Sequence, residues 1–141
     1  VDKMIKYQKI NGYKYRLAKS AWIKLDWLKG ISYEDDYIKI LPVGELVGKS
    51  GYAWDGASGP TFDTKSSIRA SLWHDIGYQL IRMGVLLKSL YKPLFDALLR
   101  TICIEDGMWE WRANMWYRAV RDVGTFFGLG DDRHGDVFTA P

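Results

Sequence analysis

From Met4 to Lys19 the chain alternates, with Ile5, Tyr7 and Lys9 in one phase before Asn11-Gly12 and Tyr13, Tyr15 and Leu17 after it. Asn and Gly both accept the positive backbone angles of a tight, correctly twisted turn, so this pattern predicts a β-hairpin. Two more apolar-rich runs, "AWIKLDWL" and "DYIKILPV", read as strands; Pro42 cannot donate to a ladder and marks an edge, bulge or end in the second. Glu45 to Trp54 predicts one further short strand.

Beyond Pro60 the period changes. Ile68, Leu72, Trp73, Ile76 and Leu80 stand at helical spacing, with Asp63, Thr64 or Ser66 available to cap the open amides of the first turn. A second helix, with Pro93 in its first turn, carries Leu94, Phe95, Leu98, Leu99, Ile102 and Cys103 and stops near Asp106-Gly107; its nearly all-round apolar surface predicts the central position. The third helix is expected from Trp109 to Val123, stopped by Gly124. The fold expected is therefore α+β: an N-terminal antiparallel sheet of three to five strands packed on a C-terminal three-helix group, with the Trp54–Pro60 corner at the junction. Residues 1–130 read as one domain and 131–141 as a polar, glycine-rich tail.

Composition narrows this picture in few places. With 141 residues, 48% of them apolar, the chain can bury one core. The single Cys103 excludes an internal disulfide and a multi-thiolate zinc site, and its apolar neighbours predict an inert, buried thiol. Neither a secretory leader nor an apolar run of about twenty residues is visible, which predicts a protein inside the cell. The net charge of +3 is uneven: Lys3, Lys6, Lys9, Lys14, Arg16, Lys19 and Lys24 face Asp2 alone at the start. That bias fits the wet face of a sheet, or contact with an anionic surface or nucleic acid.

The candidate chemistry gathers around "YAWDGASGP" and "RASLWHDIGY". His74 and Tyr78 are four apart and share a helix face, while Asp75 turns about a hundred degrees away. Asp55 lies in a glycine-rich corner, and Asp96 is an unexpected acid on the apolar second helix. Asp55, His74, Asp75 and Asp96 offer one nitrogen and several oxygens to a divalent ion, or a histidine base oriented by a carboxylate. Equally open is a structural network, in which Asp55 ties its own corner, Asp96 pairs with Arg69 or Arg100, and His74 bridges elements. Ser58 lacks a nucleophile elbow and reads as a turn residue; no Walker loop, dinucleotide fingerprint or H-E-x-x-H pair occurs.

The run "MWEWRANMWYRAVRDVG" sets Trp109, Trp111, Trp116 and Tyr117 among Arg112, Arg118 and Arg121. Core packing of at least two of these aromatics is expected, with Arg118 and Asp122 as a surface pair; stacking on sugars or bases is the alternative.

The ordered set "YAWDGASGP", "RASLWHDIGY", "YKPLFDALL" and "WRANMWYRAVRDVG" resembles an uncharacterised bacterial and bacteriophage family, domain of unknown function 1353, over roughly Gly44 to Gly128. Its T-D-x-A-S-x-P-like turn falls on Trp54 to Pro60, and its A-x-x-H-D-x-x-Y-like helix on Ser71, His74, Asp75 and Tyr78. An R-x-x-A-D-like element falls on Lys92, Phe95 and Asp96, and the last helix on Trp111, Ala113, Ala119, Val120, Arg121 and Gly124. Trp54, Lys92 and Phe95 depart from that pattern, and the bulk of Phe95 is expected to narrow any cleft beside Asp96. The resemblance implies a phage or prophage setting, in the cytoplasm of a bacterial host or on the virion, and assigns no reaction.

Three function classes follow as expectations. One is a small metal-dependent hydrolase of an ester, phosphoester or amide: Asp55, His74, Asp75 and Asp96 hold one divalent ion, His74, Asp55 and Tyr78 act in catalysis, and the ion activates water. The second is a non-enzymatic phage assembly or host-protein-binding protein. The third is a nucleic-acid-binding protein using the basic N-terminal strands and the Trp/Arg-rich helix.

Overall fold

The computed structural model describes residues 4–10, 14–55 and 65–124, which form two compact units, the first ending at Trp54 and the second beginning at Asp55.

In the first unit β1 (Tyr7–Ile10) and β2 (Lys14–Leu17) pair antiparallel, Tyr7 opposite Leu17 and Ile10 opposite Lys14. This is the expected hairpin; its connection, including Asn11-Gly12, lies outside the described residues. Tyr15 and Leu17 are buried, as the two-residue period requires, and the Tyr7 ring meets Tyr15 edge to face at 5.5 Å. A second antiparallel sheet orders β3 (Ala21–Lys24), β6 (Glu45–Gly48), β5 (Ile38–Leu41) and β4 (Tyr33–Glu34). Pro42 ends β5, as a residue without an amide donor should.

The run Ala21–Leu28 is not one strand. After Lys24 the spacing of buried residues lengthens from two to three, Leu25 to Leu28, and the chain closes a 3-10 turn over Asp26–Leu28. The Leu25 amide donates to the Gly44 carbonyl at 2.7 Å. A Cβ on Gly44, whose φ is +96°, would stand 2.8 Å from the Leu25 carbonyl oxygen, so only glycine permits this approach. Glu45–Trp54 likewise divides: β6 belongs to the four-stranded sheet, and β7 (Ala53–Asp55) joins β2 in the sheet β1-β2-β7. The described residues thus contain seven strands in two sheets, where three to five were expected.

The second unit holds α1 (Lys65–Arg82), α2 (Lys88–Glu105) and α3 (Glu110–Gly124). The proposed caps Asp63 and Thr64 lie outside the described residues, and Ser66 is already inside α1. α2 begins five residues before Pro93, because the Leu87 carbonyl accepts from the Leu90 and Tyr91 amides and starts the helix there. Pro93 sits in the second turn, facing solvent. α2 does touch both other helices, although α1 is the more completely buried. Gly107, at φ +101°, breaks the chain between α2 and α3. The architecture is α+β, with antiparallel sheets toward the N-terminus and three helices toward the C-terminus.

Candidate functional site

Gly77 permits a close approach of α2 to α1. A Cβ there would lie 2.3 Å from the Phe95 ring, so that ring rests directly on the bare helix backbone. Phe95 is fully buried and fills the gap between the helices. The next residue, Asp96, is carried toward the α1 face that bears His74 and Tyr78 on either side of Gly77.

All three side chains meet. Asp96 Oδ1 lies 2.8 Å from His74 Nε2 and accepts from the Tyr78 hydroxyl at 2.5 Å. A carboxylate only accepts, so Nε2 carries the imidazole proton and Nδ1 is the ring's other nitrogen. The His74 and Tyr78 rings stack at a tilt, 4.0 Å between centroids. Lys92, four residues before Asp96 and therefore on its face of α2, donates to Oδ2 at 2.7 Å. The same Nζ donates to the Val120 and Arg121 carbonyls at 3.3 and 3.2 Å, near the C-terminal end of α3. Cations favour that end of a helix, and here one cation joins α2 to it.

The cluster is closed to water: Asp96 is 1% exposed, Tyr78 3% and His74 7%. Burial alone would raise the Asp96 pKa, but bonds and charge from His74, with help from Lys92 and Tyr78, outweigh it and hold the carboxyl below the ordinary range. Burial, the bond to Asp96 and the charges of Asp96 and Asp75 push the Tyr78 phenol far upward, so it stays a donor. An ionised Asp96 beneath three donors is a hydrogen-bonded centre with little left to offer a ligand.

Of the residues singled out in the sequence, His74, Tyr78 and Asp96 come together. Asp75 is half-buried and reaches Tyr78 through its charge, and Asp55 ends β7. Among the described residues no group of three or more His, Cys, Asp or Glu side chains is placed to hold a metal ion. Gly56, Ser58, Gly59, Pro60 and His134 lie outside the described residues. The structural alternatives for Asp96 are also corrected. Arg69 pairs with Asp106 at 2.9 Å and Glu105 at 2.8 Å, and Arg100 bonds Asn114 at 2.5 Å. Both arginines find acids or amides nearer the α2–α3 connection. Lys92, which the family resemblance places beside Asp96, carries an i,i+4 spacing to it that is itself a sequence signal for this pair. Cys103 is buried, and burial with the Asp106 charge pushes its thiol up to about 12, which makes it unreactive.

A second feature lies on α3. Ala113 and Trp116 are buried, but Trp109 is 72% exposed, Trp111 57% and Met115 50%. Of the four aromatics Trp109, Trp111, Trp116 and Tyr117, only Trp116 is buried and Tyr117 is half-buried, so fewer than two join the core fully: Trp109 precedes the helix and Trp111 falls opposite its buried side. Their rings lie 6.3 Å apart. Arg121, rather than Arg118, pairs with Asp122, at 3.1 Å.

Comparison of the chain with protein-family models, curated proteins and solved structures gives no match. No helix among the described residues is long and apolar enough to cross a membrane.

Proposed function

We propose that this is a non-enzymatic binding protein, of the assembly or host-protein-binding kind, acting through the outer face of α3. The observation that carries this reading is the neighbouring pair Trp109 and Trp111, more than half exposed, beside Met115. Exposed aromatic and methionine side chains grouped on one surface are what protein interfaces use as anchors. The resemblance to a bacterial and bacteriophage family supports a phage setting for such a role. Photo-crosslinking from a benzoylphenylalanine placed at Trp111, in cells making the protein, should trap a defined protein adduct that competing unlabelled protein suppresses. Only diffuse adducts, insensitive to competition, would sink the reading.

A second reading rests on His74, whose Nε2 is fixed by Asp96 as a catalytic base is fixed by its orienting acid. In its metal form Asp55, His74, Asp75 and Asp96 would share one divalent ion, and Lys92 would have to leave Asp96, since a cation beside that carboxylate opposes a second. Calorimetric titration with magnesium, manganese, calcium and zinc should then show binding that weakens in His74→Ala and Asp55→Ala. A folded protein that binds none of them removes the metal form, and ester or phosphoester turnover untouched by His74→Ala removes the metal-free one.

A further inference from the structure

The exposed side of α3 is ordered along its length. Glu110 stands in the first turn, Trp111 and Met115 in the middle, and Arg118 and Arg121 toward the end, all exposed. Acid at the start and base at the end suit the helix's own dipole. They also make the face complementary to itself when reversed. In two antiparallel helices related by a two-fold axis, the same flank of each lies on the same side, and the start of one meets the end of the other. At 100° per residue Glu110 and Arg121 share one flank, whereas Trp111 and Arg118 share the central line. Reversal about a point near Met115 therefore sets Glu110 against the other copy's Arg121, and the Trp111 ring against its Arg118. The within-chain partners are weak competitors: Arg100 reaches Glu110 at 3.5 Å, and Arg121 meets its neighbour Asp122 in the open and lies over the Tyr117 ring at 5.6 Å. No ion pair engages Arg118 among the described residues.

We infer that the partner of this face is a second copy of the chain, docked through α3 in an antiparallel two-fold dimer, with two Glu110–Arg121 pairs along one side of a Trp111, Met115 and Arg118 centre. This rests on the binding reading above and names its partner. One helix face of this length makes a small interface, so the dimer is weak and concentration-dependent.

Sedimentation velocity of the full chain across micromolar concentrations tests it with charge reversals on solvent-facing side chains. Glu110→Arg alone and Arg121→Glu alone each place like charges at both ends of that flank, and each should weaken self-association about tenfold or more. An equimolar mixture of the two variants restores both pairs and should dimerise like the parent. Dimers unaffected by either reversal, or variants that the mixture does not rescue, would overturn the proposal. A monomer at every concentration would overturn it too, and acrylamide quenching then separates the outcomes. If the fluorescence lost in Trp109→Phe/Trp111→Phe is freely quenched, the face is open and the wider binding reading stands. If it is shielded, the chain covers its own face and both readings fall.

Discussion

Asp96 receives a histidine, a phenol and an amine, and each substitution around it has a different expected cost. Asp96→Asn keeps the shape but leaves the Lys92 ammonium buried against an amide, which should cost about 3–5 kcal/mol in denaturant unfolding. The charge also sets a pH dependence. Asp96 is held below its ordinary 3.8, so its contribution is complete above that value and lost as pH falls through the lower folded value. Stability measured against pH should lose part of its acid limb in Asp96→Asn. Tyr78→Phe removes one bond to a charged acceptor, worth roughly 1.5–3 kcal/mol, without stranding a charge. His74, Tyr78 and Asp96 were legible because four-residue spacing and a lone acid on an apolar helix are local facts. Between a catalytic and a structural role the pattern was silent, because both require the same partners.

Among the elements, the α1–α2 contact has the sharpest consequence. Alanine normally stabilises a helix over glycine by up to about 1 kcal/mol, yet at Gly77 it meets the Phe95 ring. Overpacking of about 1–3 kcal/mol should win, so Gly77→Ala is expected to lower the thermal midpoint, and Phe95→Leu in the same chain to recover part of the loss. All three helices were legible from their spacing. The start of α2 was misplaced because Pro93 resembles a first-turn residue, whereas Leu87 and the turn after it nucleate the helix earlier. Strands fared less well. β4 is two residues long and carries no period, and the break between β6 and β7 depends on which sheet each joins.

On the scale of the molecule, the change from two-residue to helical period after Pro60 and the division between units at Trp54 and Asp55 express one arrangement, sheets first and helices second. Charge follows the same division only in part. Lys6, Lys9, Lys19 and Lys24 are exposed, but the same unit continues through Asp26, Glu34, Asp35, Asp36 and Glu45. Weak retention of single-stranded DNA at low salt is the most this balance should give, vanishing near physiological ionic strength in a mobility-shift titration; binding that persists there would favour the nucleic-acid reading. The amine of Lys92 makes the helical unit measurable as a clock. Its side chain is 12% exposed and tied at once to α2 and α3, so an acylating reagent reaches it only while that junction is open. Mass-spectrometric labelling should mark Lys6, Lys9 and Lys24 early and Lys92 late. Once opening and closing outpace the chemistry, each tenfold lag is about 1.4 kcal/mol of local opening free energy, read from a single nitrogen in the otherwise native molecule.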